Sequence, residues 1–186
     1  MQSRSKALVQ YALVAAAAVA AASVWSHARP EQGMLLDAET WQDVASAEAG
    51  EWPQDAWYRL VPREGGIDVR AVKPGDRSGM ADDALFFRLP GTALQEGLRR
   101  NQAVFQLRVQ DVDAGLQVAI HYGQATYTYL LGPAGTQSSV RAVADLDGDR
   151  QPDFVVDTDD ATFLLLSTQA RPGPNLPTAE MSGPGC

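Results

Sequence analysis

The sequence has little of what disulfide, zinc or thiol chemistry requires. Its 186 residues include one cysteine, Cys186, and two histidines, His27 and His121. A single cysteine excludes an intramolecular disulfide and leaves a free thiol or an intermolecular bridge. Without a second histidine or cysteine beside His121, the usual zinc sites are excluded. No serine lies in a nucleophile-elbow motif and no glycine-rich phosphate loop is present. We therefore expect no catalytic residues and no organic cofactor.

Basic charge is also scarce. Fifteen lysines and arginines face 23 aspartates and glutamates, which gives a net charge of −8. Nucleic-acid binding needs a basic face toward the phosphates, so nucleic acid is not an expected partner. The same acidity argues against electrostatic docking to anionic lipid. It is compatible with binding a divalent cation.

The N-terminus has the organisation of a secretory signal peptide. Arg4 and Lys6 precede an uncharged run over residues 7–25, and Ser26-His27-Ala28 places small residues at the −3 and −1 positions. This pattern predicts a signal peptide over residues 1–28 that is cleaved after Ala28. The mature protein is then exported to the periplasm, the cell surface or the medium.

Two other interpretations of this segment stay open. An uncleaved segment would be just long enough to anchor the chain in a membrane, the one case in which we expect a membrane partner. Residues 7–14 also resemble the start of the mature helix in Flp-type pilins. That family has a glycine before the cut and a glutamate near Gln10, whereas this chain has Ser5-Lys6 and a glutamine. A pilin-like or membrane-anchored surface subunit is therefore an alternative.

The rest of the chain predicts an all-β domain, an antiparallel sandwich or barrel. Residues 29–55 are a polar lead-in with a possible short helix over Leu35–Val44. Residues 56–169 alternate apolar and polar positions, with turn signals at about 8–12-residue spacing. Residues 170–186, rich in proline and glycine, predict an extended tail.

One motif carries recognisable chemistry. Asp145, Asp147, Asp149 and Asp153 occupy positions 1, 3, 5 and 9 of a loop, and Gln151 at position 7 offers its backbone carbonyl. Calcium takes six to eight oxygen ligands at about 2.4 Å, and acids spaced by two residues can share one ion. The loop is not an EF-hand, because Arg150 stands at position 6 and Val156 at position 12.

Residues 143–156 resemble the calcium loop of FG-GAP and VCBS-type repeats, in which Asp-x-Asp-Gly-Asp-Gly-x-x-Asp precedes an apolar strand. The resemblance implies one calcium ion held by Asp145, Asp147, Asp149, Asp153 and the Gln151 carbonyl. Arg150 replaces the second glycine, so it must adopt a left-handed or a modified turn conformation and adds a positive charge. Only one copy is present, so the resemblance supports the loop and not the propeller that this family builds.

These observations predict an exported, non-enzymatic protein with one structural calcium-binding loop that makes envelope or protein contacts. The partner, a different protein or a second copy, is not specified by the sequence. A small secreted hydrolase that uses a pair of carboxylates is a further alternative. Four aromatic residues could form a binding patch, but we interpret them as core and cap residues: Trp41, Trp52, Trp57 and Tyr58.

Overall fold

The protein is described by a computed structural model that covers residues 33–46, 53, 56–78 and 80–182. With 53% strand and 7% helix, the predicted all-β class is confirmed. Residues 1–28, for which a signal peptide is predicted, lie outside the described residues, as do Trp52 and Cys186. The strands are β1 (Gly33–Leu36), β2 (Trp57–Arg63), β3 (Gly66–Val72), β4 (Leu85–Arg88), β5 (Gly97–Arg99), β6 (Phe105–Val112), β7 (Gly115–Tyr122), β8 (Ala125–Gly132), β9 (Ser138–Ala144), β10 (Asp153–Thr158), β11 (Ala161–Leu165), β12 (Gly173–Asn175) and β13 (Ala179–Ser182). Helix α1 spans Ala38–Ser46, and a 3₁₀ turn spans Ser167–Gln169.

The strands form two sheets. The larger has nine strands in the order β5-β3-β2-β4-β1-β13-β11-β10-β9, and the smaller has the order β12-β8-β7-β6. In the larger sheet β3 also lies close to β9, so the sheet curls into a nearly closed, barrel-like wall. The residues Asp113-Ala-Gly115 are typical of a hairpin turn, and they join β6 to β7, where Val112 pairs with Gly115.

Strands β10 and β11 separate two apolar cores. Val155 and Leu164 point into the barrel, whereas Phe154, Val156 and Phe163 pack against Val118, Ile120 and other residues of the smaller sheet. Burial on both faces explains why these two strands are continuous apolar runs and do not alternate with polar residues. The metal-type loop follows directly from this position, because it is the connection into β10.

The helix lies further along the chain than the sequence predicts. Leu35 belongs to β1 and pairs with Phe87 of β4, and α1 begins only at Ala38. The Asp37 carboxylate accepts a hydrogen bond from the Thr40 backbone N–H at 2.7 Å. This is the side-chain cap that a helix N-terminus requires, and it fixes the start of the helix.

Strand content extends beyond residues 56–169 at both ends. The segment predicted as an extended tail contains β12 and β13, and β13 lies between β1 and β11 in the larger sheet. Ala179 pairs with Gly33 on one side and with Leu164 on the other. The last described strand therefore joins the beginning of the β domain to its end. None of the described helices is long and apolar enough to cross a membrane.

Candidate metal site

The Asp145–Asp153 loop connects β9 to β10 and is closed by the pairing of Ala144 with Asp153. Its curvature comes from two residues with positive φ, Gly148 at 86° and Arg150 at 68°. A glycine adopts this conformation without strain, whereas an arginine does not. The left-handed conformation at Arg150 is one of the two that the sequence predicts for this position.

Aspartate side chains hold the backbone of the loop in place. Asp145 Oδ1 accepts from the Gly148 N–H at 2.7 Å, and Asp149 Oδ1 accepts from the Gln151 N–H at 2.7 Å. The Asp147 Oδ1 atom accepts a longer bond, 3.3 Å, from the Asp149 N–H. Each of these carboxylates accepts a hydrogen bond from a backbone N–H two or three residues later, and these bonds bend the chain into a tight loop.

Three of the four predicted carboxylate ligands come together. Asp145, Asp147 and Asp149 each offer one carboxylate oxygen, and these oxygens all lie within 4.8 Å of one another. The three side chains are half-buried. This cluster could hold a metal ion. Because the donors are all hard oxygens, they fit calcium or magnesium and not a metal that prefers nitrogen or sulfur.

Asp153, the fourth carboxylate of the predicted ligand set, lies apart from the cluster. It is fully buried, and it does not belong to the three-carboxylate cluster. Its Oδ2 atom accepts from the Leu146 N–H at 2.7 Å, and its Oδ1 atom accepts from the Ser167 N–H at 2.7 Å and from Ser167 Oγ at 2.8 Å. Asp153 therefore anchors both ends of the loop to the neighbouring 3₁₀ turn.

Gln151 lies against Asp149 through its side chain as well as its backbone. Its Nε2 atom donates to Asp149 Oδ2 at 3.1 Å, in addition to the backbone bond above. The side-chain amide thus orients one of the clustered carboxylates, a contact that the sequence does not predict.

The 3₁₀ turn supplies two hydroxyl groups that no motif predicts. The single proton of the Ser167 hydroxyl is shared between Asp149 Oδ2 at 2.9 Å and Asp153 Oδ1 at 2.8 Å. Thr168 Oγ1 donates to Asp147 Oδ2 at 2.6 Å. These bonds orient the two carboxylates. They also connect the loop to the segment that follows β11.

Arg99 adds a positive charge to the site from β5, the edge strand of the larger sheet opposite β9. Arg99 on β5 donates from Nε to the Asp145 carbonyl at 2.9 Å, and its Nη2 lies 3.6 Å from Asp145 Oδ2. Nearby, the Gln95 N–H donates to the Leu146 carbonyl at 2.7 Å. The loop thus contacts both edges of the nine-stranded sheet, so a cation bound there would stabilise the point where the barrel nearly closes.

The electrostatics favour a bound cation. Burial raises the pKa of Asp147, and the charges of Asp149 and Asp145 raise it further. Burial, followed by the charge of Asp147, raises the pKa of Asp153 to about 7. Both pKa values rise because burial and the neighbouring carboxylates disfavour the ionised form of each group. A divalent cation among these carboxylates would favour their ionised forms.

Among the described residues there is one histidine, and it is remote from any metal cluster. His121 is exposed, as its position out of phase with Val118 and Ile120 predicts, and its Nδ1 lies 2.9 Å from Thr126 Oγ1. Two aspartates from other acidic stretches of the sequence accept hydrogen bonds from neighbouring segments: Asp111 from the Gly135 N–H at 3.0 Å, and Asp157 from Arg141 Nε at 2.8 Å.

Comparison with protein-family models, with curated proteins and with solved structures found no match to the chain. The function proposed below therefore depends on the geometry of the loop and on the residues of the sequence.

Proposed function

We propose that the chain is an exported, non-enzymatic protein in which one calcium ion, bound by the Asp145–Asp153 loop, stabilises the β domain for protein or envelope contacts. The observation that carries the proposal is the cluster of three carboxylate oxygens within 4.8 Å at positions 1, 3 and 5. Asp145, Asp147 and Asp149 would supply side-chain ligands, and Gln151 its backbone carbonyl. Asp153 holds the loop in place by accepting hydrogen bonds from the N–H groups of Leu146 and Ser167.

The role of the ion would be structural. The loop contacts β5 through Arg99 and the 3₁₀ turn through Ser167 and Thr168, so a cation would hold together segments that are distant in sequence. Sensor loops of the EF-hand type move paired helices, whereas strands flank this loop. Arg99 and Arg150 reduce the negative charge, which favours an affinity on the order of 10⁻⁴ to 10⁻³ M, as in extracellular modules.

The first prediction is a calcium-dependent rise in melting temperature. Millimolar calcium at about ten times the dissociation constant stabilises the folded state by about 1.4 kcal/mol. For a domain of this size that corresponds to about 3–6 °C. Asp147→Ala removes a clustered carboxylate and should abolish the rise. Differential scanning calorimetry in calcium and in EDTA measures both effects.

Asp113→Ala is the matched control, because Asp113 is an exposed acid in the β6–β7 turn. This variant should keep the full calcium response. A melting temperature that is the same in EDTA and in 5 mM calcium would contradict the proposal, and so would an equal loss of response in the two variants.

A second prediction concerns Arg150, which holds φ at 68°. Arg150→Gly removes left-handed strain of about 1–2 kcal/mol, offset by about 0.5–1 kcal/mol of added chain entropy in the unfolded state. It also removes a positive charge beside the carboxylates. We expect a higher melting temperature in EDTA and tighter calcium binding by isothermal titration calorimetry. Arg150→Lys retains charge and strain and should change neither quantity; equal effects in both variants would contradict the explanation.

Export is tested separately by intact mass. In cells that export the protein, loss of residues 1–28 is expected, because residues 1–28 have the charge, length and small-residue pattern of a cleaved signal. A cut near Ser5 would instead favour a pilin-like subunit, and an intact N-terminus in the membrane fraction would favour an anchor.

A further inference from the structure

Strand β6 is a free edge of the smaller sheet. It stands at the end of the order β12-β8-β7-β6, and no other described strand pairs with its second side. All of its residues pair with β7 without a register shift, so the edge is long and regular. Natural sheets commonly protect an edge with a bulge, a proline, a lysine or a very short strand, and β6 has none of these. Such an edge is a surface for pairing with another strand.

The β6–β7 hairpin determines which backbone groups of β6 face outward. Only two residues connect the strands, so the facing residues Val112 and Gly115 exchange both of their backbone hydrogen bonds. In an antiparallel ladder, pairs of this kind alternate with pairs that exchange none. Phe105, Leu107 and Val109 belong to pairs of the second kind. Their N–H and C=O groups therefore point away from β7, and they form the open part of the edge.

Side chains close this open stretch at both ends. At one end the Asn101 side chain donates to the Ala103 carbonyl at 2.9 Å and accepts from the Ala103 N–H at 2.9 Å. At the other end the Asp111 carboxylate accepts from the Gly135 N–H at 3.0 Å. Asp111 also places a negative charge on the face of the strand that Leu107 shares, which opposes pairing there. Leu107 is therefore the centre of the open stretch.

The side chains of the open stretch leave apolar surface uncovered. Phe105 and Leu107 are only partly buried against the core between the sheets, and Val109 is 45% exposed. All three lie on one face of the strand, because successive side chains alternate between faces. A partner strand with apolar residues at the facing positions would cover this surface.

We propose that β6 pairs antiparallel with β6 of a second copy of the chain, about a two-fold axis at Leu107. In this register Leu107 faces its counterpart, and Phe105 faces Val109 of the second copy, so apolar side chains meet apolar side chains. On the other face Arg108 donates to the Gln106 amide oxygen of the second copy. Every open N–H and C=O group of the edge gains a partner, and the two four-stranded sheets become one continuous sheet.

The neighbouring registers are less favourable. An axis at Arg108 sets the two guanidinium groups opposite each other, and like charges directly opposite are destabilising. An axis at Val109 sets Leu107 against the charged Asp111 carboxylate, which loses free energy when it loses water. A shift in the other direction requires the backbone groups of Ala103, which are already bonded. Because β6 is complementary to itself in one register, a second copy is favoured over an unrelated strand.

Sedimentation equilibrium of the full chain, at concentrations up to about 500 µM, tests the association. We expect a monomer–dimer equilibrium with a dissociation constant on the order of 10–100 µM, because one pair of edge strands is a small interface. Val109→Lys places a charge opposite Phe105 of the second copy and should weaken the dimer by about tenfold or more. Leu130→Lys is the matched control and should leave the dimer unchanged, because Leu130 is 47% exposed but lies on the inner strand β8.

Disulfide trapping tests the register, and it keeps the proposal testable if Val109→Lys does not fold. In a Cys186→Ser background, Leu107→Cys should give a covalent dimer on mild oxidation, because the facing Cα atoms would be about 5.5 Å apart. Val109→Cys should not, since its two copies would lie about 13 Å apart along the strands.

Three results would overturn the proposal. They are a chain that stays monomeric at about 500 µM, an equal loss of dimer in the two lysine variants, and a covalent dimer through Val109→Cys but not through Leu107→Cys. The dimer should be equally stable in calcium and in EDTA, because the β6 edge lies outside the carboxylate cluster. A melting temperature that does not respond to calcium therefore leaves this result distinct.

Discussion

Replacing Asp153 with alanine is expected to lower the free energy of unfolding by about 3 kcal/mol. Asp153 is fully buried and accepts three hydrogen bonds, from the Leu146 N–H and from both donors of Ser167. Alanine leaves the N–H groups of Leu146 and Ser167 without this acceptor, and each buried unsatisfied group costs about 1–3 kcal/mol. The Ser167 hydroxyl can still donate to Asp149. Removal of a buried charge offsets part of this loss. Urea unfolding followed by far-ultraviolet circular dichroism in EDTA measures the change.

Asp160→Ala provides the comparison, because Asp160 is an exposed aspartate in the β10–β11 turn. Its effect should stay within about 0.5 kcal/mol. If the two variants lose similar stability, the anchoring role of Asp153 is wrong, and its position in the motif reflects metal binding alone.

The same side chain gives a pH dependence in the absence of metal. Burial raises the pKa of Asp153 from 3.8 to about 7. A carboxyl group whose pKa is higher in the folded state contributes stability that is complete below pH 4 and is lost as the pH rises through 7. Between pH 5 and pH 8 in EDTA, the native chain should therefore lose more unfolding free energy than Asp153→Ala. An equal loss in the two proteins would contradict this assignment.

Local sequence patterns predicted the fold where local chemistry determines it. Alternating residues gave strands such as β3 and β7, and Asp113-Ala-Gly115 forms the expected hairpin turn. The carboxylate cluster was predictable for the same reason, because ligands two residues apart meet through local turns. Strand β13 was not predictable from its proline- and glycine-rich surroundings, since its pairing with β1 and β11 supplies the stabilisation that its own sequence lacks.

Contacts between segments that are distant in the chain could not be predicted from the sequence. Arg99 meets Asp145 across 46 residues, and Ser167 meets Asp149 across 18. Neither residue type nor spacing indicates these partners. The burial of Asp153 could not be predicted from the sequence either, because it depends on the position of β10 between two apolar cores. Three of the four predicted carboxylate ligands form the cluster, while the Gln151 side chain donates a hydrogen bond to Asp149.

The hydrogen bonds to the clustered carboxylates bear on the role that a bound ion would have. The clustered carboxylates accept hydrogen bonds from Gly148, Thr168 and Ser167. Such bonds orient the oxygens, which would reduce the entropy that binding a cation must overcome. A loop prepared in this way fits an ion that stabilises an existing fold better than one that triggers a conformational change.

Trp41→Ala is expected to be the most destabilising of the substitutions considered, with a loss of about 4 kcal/mol. Trp41 has no exposed surface, stacks on Phe86 at a centroid distance of 4.4 Å, and meets Trp57 edge-on at 5.1 Å. Its Nε1 donates to the Asp76 carbonyl at 3.1 Å. These contacts hold α1 on the outer surface of the larger sheet, so Trp41 and Trp57 are core residues and not a binding patch.

Trp41→Phe separates packing from hydrogen bonding in this cluster. Phenylalanine can keep the stack on Phe86 but loses the bond to Asp76, so the loss should be about 1–2 kcal/mol. Unfolding by urea, followed by far-ultraviolet circular dichroism, gives both values. Because Trp41 shares no contact with the Asp145–Asp153 loop, the calcium-dependent increase in melting temperature should survive in Trp41→Phe. A loss below 1 kcal/mol in Trp41→Ala would mean that α1 contributes little to the fold. A lost calcium response in Trp41→Phe would mean that the helix and the loop are energetically coupled through the sheet between them.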